Sequence, residues 1–353
     1  MRELQPPPPP YPEDASWRKA RFVAKRYTYS IRGPRPNGSS PTYILVFAHA
    51  LGFHKECWEP TISLLLGLGL EPSSDESSPV ISQMWTVDCP DHGESAMMNE
   101  EAATRFSCHW YASAIYALSR SEIVCDLQTS RLVLIGHSAG AIAVTLATTF
   151  LASSPRPCIK PHAVVLIEPW MIPPALASSP RIGQITAGLV SSTRLRRDVW
   201  GTLDEAREYF QSKKVWQAWD PTVLTLYLAY CLKHRSSPSQ PTGCSVGLTY
   251  SKSLECDGYG DLSEGQAALA QLSLICKIMP VHVIFGAGQG SVPEGIRRAI
   301  CDPSAGREMA SVTVLPDLGH MAPQQSPPQI ATALWNVMVG LASRDRRGLR
   351  AKL

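Results

Sequence analysis

Gly136-His137-Ser138-Ala139-Gly140 is the segment of this 353-residue chain that best presents a side chain for reaction. An apolar run, Arg131 to Ile135 (RLVLI), precedes it, and a small-residue run, Ala139 to Ala152, follows. Strand, sharp turn and helix form the context in which G-x-S-x-G lifts a serine above a sheet. The Ser138 hydroxyl then lies at the amino end of a helix, where the dipole favours developing negative charge. A serine hydroxyl is a weak nucleophile until a base takes its proton. Of nine histidines, His320 has the context of that base. It sits in Leu315-Pro316-Asp317-Leu318-Gly319-His320, after the last apolar run and before a closing helix. His137, beside the serine, reads as a packing residue, and His92 and His49 as structural ones, although His49 could line the pocket.

A carboxylate must orient the histidine and stabilise its cation. The usual place follows the apolar run Val281 to Phe285. The loop there reads Gly286-Ala287-Gly288-Gln289-Gly290-Ser291-Val292-Pro293 and holds no Asp or Glu. Gln289 stands where an acid is expected, and an amide cannot balance an imidazolium. Glu168 ends the preceding strand, AVVLIEP, and is assigned as the acid; Glu294 and Asp317 are the alternatives. A tetrahedral intermediate needs two N–H donors. Ala139, after the nucleophile, supplies one. The loop His49-Ala50-Leu51-Gly52-Phe53-His54 supplies the other, from Leu51 in preference to Ala50.

The elements that must hold these groups alternate. Apolar strand runs occupy Arg21 to Ser30, Tyr43 to Ala48, Ile81 to Asp88, Arg131 to Ile135, Ala163 to Ile167, Val281 to Phe285 and Ser311 to Leu315. Helical stretches separate most of them, which predicts an α/β class with a mostly parallel, doubly wound sheet. From Trp170 to about Lys277 the pattern is helical, with no buried strand. Residues 170–277 therefore read as a helical lid inserted after the strand ending at Glu168, above the carboxyl ends of the strands where open α/β sheets bind ligands. Residues 17–169 and 278–343 form the core, 1–16 a Pro-rich start expected to be disordered, and 344–353 a tail.

Composition narrows the function. With 33 basic and 30 acidic residues the charge is too balanced to suggest nucleic-acid binding. Ten cysteines include no C-x-x-C pair and no tight Cys/His cluster, so no metal and no organic cofactor is implied. The longest apolar run is too short for a membrane span, and Met1 to Pro10 lacks the apolar stretch of a secretory signal. The chain ends Ala351-Lys352-Leu353, a variant of the S-K-L tripeptide, so peroxisomal import by its receptor is expected. The lid is rich in apolar and aromatic residues. His49, Trp170, Trp216 and Trp219 are candidate pocket residues, and Arg194, Arg196 and Arg197 could meet a carboxylate or a coenzyme A phosphate.

Taken together, GHSAG, HALGFHKECWEP at 49–60, VDCPDHGES at 87–95 and LIEP at 166–169 resemble the α/β-hydrolase superfamily, and within it the fungal peroxisomal hydrolases. Trp219-Asp220-Pro221 in the lid fits the same likeness, which covers roughly residues 20–343. The resemblance implies serine hydrolysis of acyl esters or thioesters, in lipid or toxin metabolism, with Asp88 and Ser95 bracing the loops. Two other readings share the pocket: an acyltransferase, lyase or cyclase of secondary metabolism, and a ligand-binding protein without catalysis.

Overall fold

Unbroken β-branched and aliphatic runs make strands that are buried on both faces. The computed structural model describes residues 20–28, 42–70, 78–99, 106–121, 130–152, 160–237 and 240–350. The amino-terminal residues 1–16 and the terminal Ala351-Lys352-Leu353, to which two expectations attach, lie outside them. The chain opens with β1 (Ala24–Tyr27), β2 (Thr42–Ala48), α1 (Glu59–Leu70), β3 (Val80–Val87), α2 (Gly93–Met98) and α3 (Cys108–Ser119). It continues through β4 (Ser130–His137), α4 (Ala139–Ala152) and β5 (Pro161–Ile167).

The inserted region contains α5 (Pro174–Ala177), α6 (Pro180–Leu195), β6 (Val199–Trp200), α7 (Leu203–Gln211), α8 (Lys214–Gln217) and α9 (Pro221–Tyr230). It ends with β7 (Leu232–Ser237), β8 (Gln240–Leu248), α10 (Lys252–Gly260) and α11 (Ser263–Ile275). The chain closes with β9 (Val281–Gly286), α12 (Glu294–Ile300), β10 (Ser311–Leu315), α13 (Ala322–Gln325) and α14 (Pro327–Arg350).

The main sheet runs β1-β3-β2-β4-β5-β9-β10, with β1 antiparallel and every other neighbour parallel. Side chains two apart share a face. Ile44, Val46, Leu132, Leu134, Val164 and Leu166 pack on the layer of α3, α4, α11 and α12. Tyr43, Leu45, Phe47, Val133, Ile135 and Val165 pack on the layer of α1 and α14. Each fully buried Val, Leu or Ile contributes about 1.5–3 kcal/mol. The mostly parallel, doubly wound sheet is therefore the one predicted.

The inserted region departs from an all-helical lid. β6, β8 and β7 form an antiparallel three-stranded sheet. The run LKHRSS, within the stretch expected to be helical, is strand because it pairs with β8. α11 also belongs elsewhere: Ala268, Leu269, Leu272 and Ile275 join the core cluster with α3 and α4. Its Glu264 accepts from Ser107 Oγ and the Cys108 N–H, both at 2.6 Å, and so caps α3. The remaining lid has its own apolar centre of Trp200, Phe210, Trp219 and Tyr227, which reaches Ala50 and Phe53 of the core. Residues 344–350, expected as tail, continue α14. Asp345 fastens that helix to the sheet through Tyr43 Oη at 2.6 Å, Arg131 at 3.0 Å and His162 at 3.1 Å.

Candidate active site

Three strand ends meet above the sheet. β4 turns sharply at Ser138, whose φ is 53°, and its N–H is held by Ile167 O at 3.0 Å. The turn needs glycine on both sides. A Cβ on Gly136 would stand 2.3 Å from Gly140 O, and one on Gly140 would stand 2.4 Å from Ala48 O. β5 turns in the same way at Glu168, with φ of 46° and its N–H on Ile284 O at 2.9 Å. Left-handed backbone at non-glycine residues costs energy and collects at functional sites. Here it stands at both Ser138 and Glu168. His320 arrives on the loop after β10.

The side chains are brought into line. Ser138 Oγ lies 2.9 Å from His320 Nε2, and His320 Nδ1 lies 3.3 Å from Glu168 Oε2. An ionised carboxylate only accepts, so Nδ1 carries the hydrogen and Nε2 is free to accept from the serine. Glu168 is fully buried, and its charge is met by two more donors. The Gly286 N–H reaches Oε1 and the Val292 N–H reaches Oε2, each at 2.7 Å. Thus the loop that lacks a carboxylate supplies backbone donors to Glu168, past the end of the neighbouring strand. Gln289 is exposed on that loop, Glu294 pairs outward with Arg298 at 3.1 Å, and Asp317 has φ of 63° with no contact to His320 among those of the described residues. His137 does more than pack. Its Nε2–H donates to His320 O at 2.8 Å, fixing the backbone there. Burial, with the nearby His320 ring, pushes its own proton affinity down to about 3, so it stays neutral.

The loop at 49–54 is held from behind. His49 Nε2 accepts the Cys89 N–H at 3.0 Å, which leaves Nδ1–H to donate to Ala50 O at 2.8 Å. Tyr111 Oη takes the His49 N–H at 2.7 Å, and His92 Nε2 takes the Gly52 N–H at 2.9 Å. For the N–H groups of Leu51 and Ala139 no acceptor is found among the described residues. His49 is therefore a buried brace rather than a pocket wall. Asp88 accepts the Lys55 N–H at 2.8 Å and the Glu94 N–H at 3.1 Å, and Ser95 Oγ accepts the Val23 N–H at 2.8 Å. Cys89, Asp91 and His92 gather potential metal-ligand atoms. Both His92 nitrogens are already engaged, Nδ1–H on Asp91 at 2.7 Å and Nε2 by Gly52, so the ring has no lone pair left for an ion.

The lid residues divide. Trp170 is half-buried and meets the His320 ring edge-on, with centroids 6.1 Å apart. Trp216 packs on Phe210 at 4.6 Å within the lid, and Trp219 lies between Phe53 and Tyr227 at 5.4 Å from each, where the lid meets the core. Arg196 does not wait for a ligand: it pairs with buried Glu255 and donates to Tyr250 Oη at 3.2 Å. Arg197 is paired with Glu205 at 2.6 Å. Sequence reasoning missed Phe106 and Gly258, which close on Leu51, and the hydrogen bond from His137. Neither has a sequence signal, because both depend on how distant segments meet.

A family model described as the alpha/beta hydrolase family matches residues 45–333. The chain belongs to that family. Among solved structures, this α/β hydrolase resembles the peroxisomal α/β-hydrolase Lpx1 of Saccharomyces cerevisiae. The TM-score is 0.65 at 18% identity, over 91% of this chain and 90% of that one. It also resembles a thermophilic esterase from Thermogutta terrifontis, with a TM-score of 0.51 at 13% identity over 91% and 94% of the two chains. The thioesterase domain of the curacin biosynthetic pathway gives 0.52 at 16% identity over 90% and 95%. No curated protein sequence matches the chain. Likeness at these identities is a likeness of fold.

Proposed function

We propose that this α/β hydrolase is a serine hydrolase that cleaves an apolar acyl ester or thioester through an acyl-enzyme on Ser138. The observation that carries the reading is the line from Ser138 Oγ through His320 to Glu168, at 2.9 and 3.3 Å. Ser138 Oγ attacks the acyl carbon as His320 Nε2 takes its proton. Glu168 balances the imidazolium, and the N–H groups of Leu51 and Ala139 receive the oxyanion. Collapse expels the alcohol or thiol, which leaves with the proton from His320. Water then attacks the acyl-serine with His320 again as base, releasing the acid and restoring Ser138.

Apolar surroundings support an apolar acyl group: Trp170 stands against His320, and Phe106 lies beside Leu51 and Gly258. Import into peroxisomes is supported by Ala351-Lys352-Leu353 and by the likeness to the peroxisomal yeast hydrolase. The motif likeness to fungal toxin-pathway hydrolases supports a role in lipid or secondary metabolism. The test is fluorophosphonate labelling with intact-mass readout on wild type and Ser138→Ala. Labelling of wild type alone is expected; a folded wild type that takes no label refutes the reading. Medium-chain esters and acyl-CoAs, assayed with and without an acceptor alcohol, then separate hydrolysis from acyl transfer.

A further inference from the structure

Behind the acid stands Arg297, on α12. Its Nε donates to Val292 O at 2.6 Å, and its Nη2 donates to Gly286 O. These are the two residues whose N–H groups hold Glu168. Nη2 itself is 3.9 Å from Glu168 Oε1. The Phe285 ring supports the guanidinium from one side, 5.0 Å from its centroid. One planar fork thus fixes both ends of the loop that grips the carboxylate and holds a cation against it. A lysine ammonium keeps the charge without the fork.

We propose that Arg297 is a positioning residue: it sets the two N–H donors that aim Glu168 at His320, and its charge limits how tightly His320 holds a proton. The proposal rests on the reading of Ser138, His320 and Glu168 as a triad. The groups that face His320 are Glu168 from β5, and His137 and Ser138 from β4; Trp170 adds an uncharged edge. His137 is neutral, held so by burial. Besides His320, Arg297 is the cation paired with Glu168 among the described residues. Without Arg297, the carboxylate attracts the imidazolium more strongly, and His320 titrates at higher pH.

Arg297 also lines an open groove of about 590 Å³ with Phe285, Arg298, Cys301, Val312 and Val314. Space vacated by truncation is therefore within reach of a small cation in solution.

The experiment compares wild type, Arg297→Gln, Arg297→Lys and Arg297→Ala by two readouts. NMR titration of the His320 ring needs no turnover, and the fluorophosphonate reaction rate reports the nucleophile. Arg297→Gln is expected to raise the pH at which His320 titrates and to slow labelling about tenfold. Arg297→Lys keeps the titration and loses part of the rate. Guanidinium ion restores rate to Arg297→Ala. A titration within about a fifth of a unit and a rate within about twofold in Arg297→Gln overturn the proposal. If that variant does not fold, an Arg297→Lys rate within about twofold of wild type overturns it instead. A wild type that takes no label, with the titration still shifted in Arg297→Gln, refutes the triad reading and leaves the coupling of Arg297 to His320 standing.

Discussion

Glu168→Gln is the sharpest perturbation of the proposed triad, because it changes one atom type at a buried site. Its effect is worked from the geometry. When His320 takes the serine proton, an imidazolium forms 3.3 Å from the carboxylate. At an effective dielectric of about 20, two unit charges at that distance attract by about 5 kcal/mol. At about 1.36 kcal/mol per tenfold, the loss is three to four powers of ten in the chemical step. The amide adds a second fault. Three donors converge on the two oxygens of Glu168: the N–H groups of Gly286 and Val292, and His320 Nδ1–H. An NH₂ in place of either oxygen must face at least one of them. That costs about 1–3 kcal/mol of stability and favours the wrong histidine tautomer. The assay is kcat/KM on a chromogenic medium-chain ester beside the labelling rate, with the urea midpoint as a check of folding. A folded Glu168→Gln within about tenfold of wild type refutes the argument and moves the acid elsewhere.

Two predictions concern pH and stability. The folded proton affinity of His137 lies at about 3, below its ordinary 6.5. Its stabilising effect is therefore complete above about pH 6.5 and fades as pH falls toward 3, by about 2 kcal/mol at pH 5. Urea unfolding of wild type and His137→Gln at pH 7 and pH 5 measures the difference, since His49 and His282, lowered by burial, act in the same direction in both proteins. Equal pH dependence in the two refutes it. Burial opposes the charge on Glu264, yet its bonds to His109, Ser107 and the Cys108 N–H hold its carboxyl below the ordinary value. Its contribution is present above about pH 4.5 and is lost as pH falls through the lowered value. Glu264→Gln is expected to cost about 1–2 kcal/mol at pH 7, read as a lower thermal midpoint, and no change in midpoint counts against the α3 cap.

Legibility followed the reach of each signal. The parallel strands were readable because runs such as RLVLI and AVVLI have no polar face, and only a sheet covered on both sides accommodates them. Ser138 was readable because strand, turn and helix adjoin in sequence. The strands of the lid were not. LKHRSS and QPTGCSVGL have little apolar alternation, and they pair with each other rather than against the core. α11 reads like its lid neighbours because small and aliphatic residues suit either setting. Its place on α4 shows only in the packing. The direction His49 points was not legible for a related reason: a histidine in that loop can point forward or back, and its ring's two backbone partners come from Ala50 and from Cys89, 40 residues on.

The acid is the place where absence in the sequence carried most information. β5 and β9 are parallel neighbours in register, with Ile167 beside Ile284. A carboxylate just past the end of either strand therefore approaches the same histidine. Gln289 empties one of those places and makes Glu168 the remaining candidate. What the absence could not convey is that the vacated loop keeps a task. Gly286 and Val292 turn their N–H groups on Glu168, and Arg297 fixes their carbonyls. A fully buried carboxylate needs such partners, since each donor left out would leave charge unmet in a low dielectric. A new acid grafted at Gln289 would thus not simply add a carboxylate beside His320. It would set a second negative charge on the loop whose donors Glu168 requires. Gln289→Asp alone is for that reason no route to a faster enzyme, and adding Glu168→Gln does not rescue it, because the amide at 168 must turn its NH₂ toward at least one of those donors.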